Sequence, residues 1–227
     1  QFLQAVGAAL ATKYALQVEE LASSERFPRE EVVYVSGGDG STSEGEFWEA
    51  LNNACIHRLP ILFLIEDNGY AISVPVEAQT AGGSISKLLR QFPGLFVSEF
   101  DGCDFLKSYA RLKDAFDYLR AGRGPALAHA HVIRPYSHSL SDDEKLYRSE
   151  SERRAEAERD PIVSMRTFLI EEELATEEEL EAIQSSVQRE VDEASEQALA
   201  MPKPAPDSYG THLYSESVRV SSAEFDT

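Results

Sequence analysis

Two cysteines, one tryptophan and two methionines are all that this 227-residue chain holds of those residues. Two thiols cannot build a disulfide framework, and Cys55 and Cys103 lack metal-like spacing. Both read as reduced thiols of a cytosolic protein, Cys55 on the apolar face of a helix. Positive charge is scarce too: 21 Lys and Arg stand against 40 Asp and Glu, a formal net charge of −19 and a pI near 4.6. With no basic stripe to displace counterions, no nucleic-acid partner is expected. No apolar run approaches the ~18 residues of a membrane span, so no membrane partner is expected either, and no stretch reads as a signal peptide. No internal repeat is evident. Length and composition suit one sizeable α/β domain with its own core.

Much of the acidity is local. Residues 171–181 and 190–196 read as solvated helix faces. Phe2, Leu3, Val6, Leu10 and Tyr14 form an amphipathic face, which predicts a helix over 2–22 already under way at the first residue. The chain therefore reads as a piece of a longer polypeptide. A charged loop at 23–30 precedes an apolar run at 31–36 that ends in Gly37-Gly38-Asp39-Gly40. Those glycines permit positive φ and close approach of backbone to a ligand. Ser43 with Glu46 predicts a capping box for a helix whose apolar face is Phe47, Leu51, Ala54 and Cys55. Leu59-Pro60 ends it, and a second apolar run, 61–66, leads to Asn68-Gly69-Tyr70.

A strand, a helix and a second parallel strand would set Asp39 and Asn68 side by side at the carboxyl edge of a sheet. Open α/β sheets bind ligands there, and two oxygen-bearing side chains suit a magnesium ion that holds a diphosphate. Downstream, the pattern predicts a polar loop at 75–94 with a short helix near 85–90, a strand at 95–100 and a helix at 105–120. A strand at 126–133, a loop at 134–148 and helices near 162–174 and 177–200 follow. Thr176 and Glu179 form a capping box for the last. Residues 202–227 hold three prolines and read as a linker.

Gly38-Asp-Gly-Ser-Thr-Ser-Glu-Gly-Glu46 and Glu66-Asp-Asn-Gly-Tyr-Ala-Ile-Ser-Val-Pro75 resemble the thiamine diphosphate motif of the 2-oxo acid dehydrogenase decarboxylating component, α subunit. His138-Ser-Leu-Ser-Asp-Asp143, followed by Tyr147-Arg-Ser149, is similar to a third signature of that family. The likeness is closest to the branched-chain (2-oxoisovalerate) member, and a fused α–β chain is one form it takes. The resemblance implies a thiamine diphosphate-binding α/β fold: a mostly parallel sheet flanked by helices, with C-terminal helices and an extended tail. Residues 1–200 would be the diphosphate-binding domain and 201–227 a linker towards a β-type domain. It implies oxidative decarboxylation of a 2-oxo acid, with the acyl group passed to a lipoyl-bearing transacylase. Pyruvate or acetoin dehydrogenase components and a non-catalytic, metal-stabilised subunit are the alternatives.

By the same resemblance, Asp39, Asn68 and the Tyr70 carbonyl would bind Mg2+, and Gly38, Gly40, Ser41, Ile72 and His138 would join them around thiamine diphosphate. His138 would be the catalytic residue of this chain, near the route of the lipoyl group; the plainer reading is a solvated loop histidine. Ser139 matches a serine that a kinase modifies in mitochondrial members, and an unmodified serine is the expectation here. Asp142 and Asp143 would order the loop through Arg148 or Tyr147. Ser137 stands where several members have a second histidine, and Glu66 where some carry an arginine that holds the diphosphate; Arg134 is a candidate to replace it. The remaining catalytic groups would come from a β-type subunit or domain, in a homo-oligomer or an α2β2-type assembly, so that residues 1–227 alone show no turnover. The expected location is cytoplasmic, as in bacteria, with the mitochondrial matrix as the alternative. His129 and His131 alternate on one strand and read as core or supporting residues, His57 as a helix-end residue, Trp48 as core or interface packing and Glu44 as a helix-start residue.

Overall fold

The structure, a computed structural model, describes residues 1–22 and 30–213. The chain divides into two compact units, residues 1–171 and 172–227. In the first unit, helix α1 (Phe2–Ala15) buries Phe2, Val6, Ala9, Thr12 and Ala15. It stops well short of the expected residue 22. Gln17 N–H bonds the Tyr14 carbonyl and Val18 N–H the Ala15 carbonyl, a tightening that closes the last turn, and α2 (Glu19–Ala22) is a separate turn of helix. Leu3 and Tyr14, expected on the apolar face, are exposed. Of the expected charged loop, residues 23–29 lie outside the described residues.

Strand β1 (Val33–Gly38) runs directly into a 3-10 turn, Asp39–Ser43, before α3 (Gly45–His57) begins. The expected capping box is absent. Glu44, not Ser43, occupies the N-cap position and makes no side-chain cap; Ser43 Oγ instead donates to the Gln79 carbonyl at 3.1 Å. Ser43 is taken up as the last residue of the turn, which Ser41 Oγ and Thr42 Oγ1 brace by donating to the Gly38 and Asp39 carbonyls at 2.6 and 2.7 Å, and Glu46 Oε1 accepts from Leu3 N–H at 3.2 Å. Helix α3 ends at Arg58, which adopts the left-handed conformation, and β2 (Ile61–Asp67) follows at once.

A two-residue pair, β3 (Tyr70–Ala71) and β4 (Val74–Pro75), forms a small antiparallel ribbon. Two short helices follow, α4 (Val76–Gln79) and α5 (Ile85–Leu89), the latter capped by Ser84. Strand β5 (Phe96–Asp101), helix α6 (Phe105–Arg120) and β6 (Ala126–His131) complete the sheet. Helices α7 (Glu150–Ala157) and α8 (Pro161–Glu171) end the unit. The first of these was not expected; its eight residues are mostly charged and carry no apolar stripe.

The sheet has the order β1-β2-β6-β5, and every pairing in it is parallel. Helices α1, α3 and α5 bring Phe2, Val6, Phe47, Leu51, Ile85 and Leu89 onto one face, against Ile61, Phe63, Ile65 and Leu127. Helix α6 covers the other face with Ala115 and Leu119, against Leu62, Ala126, Ala128 and Ala130. The period-2 alternation of β2 and β6 thus feeds two cores at once, as expected of a strand buried on both faces. Small alanines on β6 give α6 room to approach. In register, Gly38 pairs with Glu66 and Asp67 with His131, so Asp39 and Asn68 leave neighbouring strands at the same edge.

In the second unit, α9 (Glu177–Ala200) starts at the expected capping box. Thr176 N–H donates to Glu179 Oε2 at 2.8 Å, and Glu179 N–H donates to Thr176 Oγ1 at 3.3 Å. None of its residues is buried. The expected linker is described as far as residue 213 and holds one 3-10 turn, Ser208–Gly210. Among the described residues no helix is long and apolar enough to cross a membrane.

Candidate functional site

Asp39 is the first residue past β1 and is 2% exposed. Its Oδ2 accepts a hydrogen bond from Gln79 Nε2 at 2.5 Å, while Oδ1 is buried and has no partner among the described residues. Burial pushes the carboxyl above the usual carboxylate range, and the nearby Asp67 charge adds to this. The nearby backbone of Asp39, the Gln79 amide and the backbone of Asn68 favour the charged form and offset only part of it. A buried carboxylate oxygen with nothing to bond to is costly, and a cation is the partner that would satisfy it.

The second turn is built differently. Asp67 Oδ1 accepts from Gly69 N–H at 2.8 Å, and Asn68 Oδ1 accepts from Tyr70 N–H at 3.2 Å, so two side chains in succession fold back on the backbone. Gly69 has φ +82, which is where glycine is required. The glycines before and after Asp39 differ from expectation: Gly37, Gly38 and Gly40 all avoid positive φ. At Gly37 and Gly40 the requirement is space, whereas a Cβ at Gly38 would meet only the Glu66 carbonyl at 3.8 Å. A Cβ at Gly40 would lie 2.5 Å from Ala71 Cβ, and one at Gly37 would lie 2.5 Å from Ser41 Oγ. Gly40 therefore lets the Asp39 turn press against the strand that carries Tyr70.

Ile72 adopts φ +58, a left-handed conformation that costs a β-branched residue on the order of 1–3 kcal/mol. Its carbonyl is held by Arg134 Nη1 at 2.8 Å. Arg134 Nη2 donates to Tyr147 Oη at 2.7 Å, and Tyr147 Oη donates to Asp142 Oδ2 at 2.6 Å. That same Asp142 oxygen accepts from His138 N–H at 2.9 Å. The guanidinium carbons of Arg134 and Arg148 lie 5.7 and 5.6 Å from the Tyr70 ring centre. Arg148 is 3% exposed and pairs with Glu144, Glu152 and Glu156, which fixes the base of α7 beneath the loop.

Asp39, Gly40, Asn68, Tyr70 and Ile72 therefore meet at one edge, with Gly38 and Ser41 in the β1 end and its turn. His138 does not join them by any direct contact of its ring; it sits exposed on a loop tied to Ile72 through Asp142, Tyr147 and Arg134. Asp142 orders the loop, as expected, through Tyr147. Asp143 caps the short turn at 144–146 instead. Arg134 is committed to Ile72 and Tyr147. Ser139 Oγ lies 3.1 Å from Ser141 Oγ. Trp48 is partly exposed, edge-on to Phe47. Glu44 is exposed at the start of α3, and His57 is the last residue of that helix. Both cysteines are free thiols, and burial pushes Cys55 up to about 11.

Two site residues escaped the sequence reading. Gln79 bonds Asp39 from 40 positions away, and nothing in its polar surroundings announces this. Asp67 stood in the sequence only as an unassigned member of the Glu66–Pro75 motif. Its signal was the alternation that placed His129 inside: His129 is fully buried, with Nε2 2.8 Å from Asp67 Oδ2 and Nδ1 3.0 Å from Ser86 Oγ.

Residues 1–207 match the family profile described as "Dehydrogenase E1 component". The chain is 38% identical over 202 residues to the rice (Oryza sativa subsp. japonica) chloroplastic pyruvate dehydrogenase E1 component subunit alpha-3, covering 88% of this chain and 46% of that protein. The human testis-specific mitochondrial form of the E1 component subunit alpha is 34% identical over 187 residues, 82% of this chain and 47% of its own length. The mitochondrial E1 component subunit alpha of Sminthopsis macroura is 33% identical over 211 residues, 92% of this chain and 54% of its own. The chain thus spans about half the length of the curated relatives it matches. The matched stretch includes both turns of the sheet edge and the Arg134–Tyr147 loop, and on that extent the chain belongs to the dehydrogenase E1 component family, whose members depend on thiamine diphosphate and a divalent metal ion.

Proposed function

We propose that this chain carries the diphosphate-binding half of an enzyme that decarboxylates a 2-oxo acid oxidatively and passes the acyl group to a lipoyl-bearing partner. The observation that carries the proposal is Asp39: a buried carboxylate with an unpartnered oxygen, beside the Asn68 and Tyr70 turn and near a second acid, Asp67. A divalent cation there would satisfy Oδ1 and offset both charges. Asp39, Asn68 and the Tyr70 carbonyl are the residues that would hold it, a hard oxygen set suited to magnesium. Bound thiamine diphosphate would supply the electron sink that decarboxylation needs.

The chain's own residues then have defined tasks. Asp39 and Asn68 fix the cation, and Gln79 keeps the Asp39 carboxylate from rotating. Gly40 brings the two turns together. Ile72, held left-handed by Arg134, presents its side chain at the edge where the cofactor would lie. His138, on the loop tied to the same Arg134, could donate a proton to a phosphate oxygen or to the arriving acyl acceptor. A β-type subunit or domain would supply the remaining catalytic groups and exclude water, in a homo-oligomer or an α2β2-type assembly. Residues 1–200 would form the binding domain and 201–227 the linker towards that partner.

Pyruvate is favoured as a substrate by the relatives, which are pyruvate dehydrogenase components, and a branched-chain acid by the likeness of the His138–Asp143 loop. Such substrates differ by a few methylenes, worth only about 1–3 kcal/mol in pocket discrimination. Calorimetry of the full-length protein with magnesium and thiamine diphosphate tests the site: coupled binding is expected, and its absence would leave a non-catalytic subunit. Carbon dioxide release from pyruvate, 2-oxoisovalerate and 2-oxoglutarate, measured side by side with the β-type partner present, decides the substrate. A mitochondrial or a cytoplasmic location is open to fractionation.

A further inference from the structure

His129 is an anomaly of the core. On β6 it faces the same side as Leu127, where the alternation calls for an apolar residue, yet it is fully buried with both ring nitrogens engaged. Burying an imidazole requires partners, and the chain supplies a row of them. Ser84 Oγ lies 3.0 Å from Ser86 Oγ at the start of α5, and Ser86 Oγ lies 3.0 Å from His129 Nδ1. His129 Nε2 lies 2.8 Å from Asp67 Oδ2, and Asp67 Oδ1 takes the Gly69 N–H. A carboxylate only accepts, so in the pair with Asp67 the imidazole Nε2 is the donor and Nδ1 is left to face Ser86 Oγ.

We infer that His129 is a positioning residue for the cation site: by gripping one Asp67 oxygen it aims the other at Gly69, and so sets the turn that offers Asn68 and Tyr70. The inference rests on the cation site proposed above. The geometry favours a brace over a ligand. Asp67, His129 and His131 offer donor atoms within 4.8 Å of one another. Yet His131 is 43% exposed, bonds Glu99 at 3.0 Å and stands 3.9 Å from Asp67, while His129 has no free nitrogen. A supporting hydrogen bond behind a metal ligand is commonly worth 10–100-fold in metal affinity.

The test is magnesium titration of the full-length protein in the presence of thiamine diphosphate, followed by calorimetry, with unfolding midpoints recorded in parallel without either. His129→Phe fills the volume and removes the bonds; magnesium affinity is expected to fall by about 10–100-fold. His129→Gln keeps a donor towards Asp67 and is expected to recover most of it. Ser86→Ala, a milder change in case the first does not fold, is expected to weaken magnesium by roughly threefold through loss of one hydrogen bond. His131→Ala is expected to leave it unchanged. Unaltered magnesium affinity in His129→Phe and Ser86→Ala, with or without a lower midpoint, would make His129 a core residue only and overturn the inference. Zinc binding that exceeds magnesium binding and disappears in His131→Ala would overturn it in favour of a histidine-ligated metal. Failure of the wild-type protein to bind magnesium with the cofactor is a separate result, and it removes the proposed site itself.

Discussion

Asp39 and Asp67 end neighbouring strands of one sheet, are both buried and lie close enough to feel each other's charge, yet the chain treats them in opposite ways. Asp67 has every oxygen occupied: Oδ1 by Gly69, Oδ2 by His129 and its backbone carbonyl by the Val132 N–H at 2.8 Å. Asp39 has its backbone carbonyl held by Thr42 Oγ1 and one carboxylate oxygen by Gln79, and the other carboxylate oxygen is left bare among the described residues. Its carboxyl is pushed up while that of Asp67 is held down. The difference separates two uses of a buried acid. One completes the fold from within, and the other is kept at the fold's expense for something outside it.

The largest effect expected from breaking this contrast is at Asp39. Asp39→Ala should abolish magnesium-coupled cofactor binding in calorimetry, yet leave the cofactor-free unfolding midpoint unchanged or higher, because a costly buried oxygen is gone. Asp67→Ala should do the reverse to the free protein. Removing one partner of a buried, hydrogen-bonded pair costs on the order of 3 kcal/mol, read as a lower denaturant midpoint at unchanged slope. Arg134→Gln should fall between, raising the magnesium–cofactor dissociation constant by roughly tenfold through release of Ile72, with faster proteolysis of the 134–148 loop as a second readout.

The smallest effect, and the sharpest, is in pH. A carboxyl lowered on folding lends stability above the ordinary carboxylate pKa and loses it as pH falls through the folded value; a raised one favours the fold when protonated and withdraws support as pH climbs through that range. In the cofactor-free protein, Asp67→Asn should therefore flatten the acid limb of the stability profile, and Asp39→Asn should flatten the rise of destabilisation above it. Identical shifts in both variants would erase the distinction.

The meeting of Asp39 with Asn68 was legible because apolar runs at 31–36 and 61–66 announce parallel strands; the strands themselves run on to Gly38 and Asp67, and register does the rest. The capping box at Thr176 was legible because it is local. The one expected at Ser43 failed for the opposite reason: hydroxyls at 41 and 42 fold back on Gly38 and Asp39, and the helix starts late. Helix α7 lacked an apolar stripe to read. It is set by Ser149, whose Oγ accepts from Glu152 N–H at 3.2 Å, and by the ion pairs of Arg148. Gln79 reaches the site through a contact across 40 positions, which no local pattern encodes; alternation placed His129 inside, but its pairing with Asp67, 62 positions away, is not local either.

The close seat of Gly40 against Ala71 has a consequence for substitution. With 2.5 Å between a would-be Cβ at 40 and the one at 71, the two loops have no slack between them. Any side chain added at 40 would therefore have to wedge the two loops apart, and with them the groups that each presents.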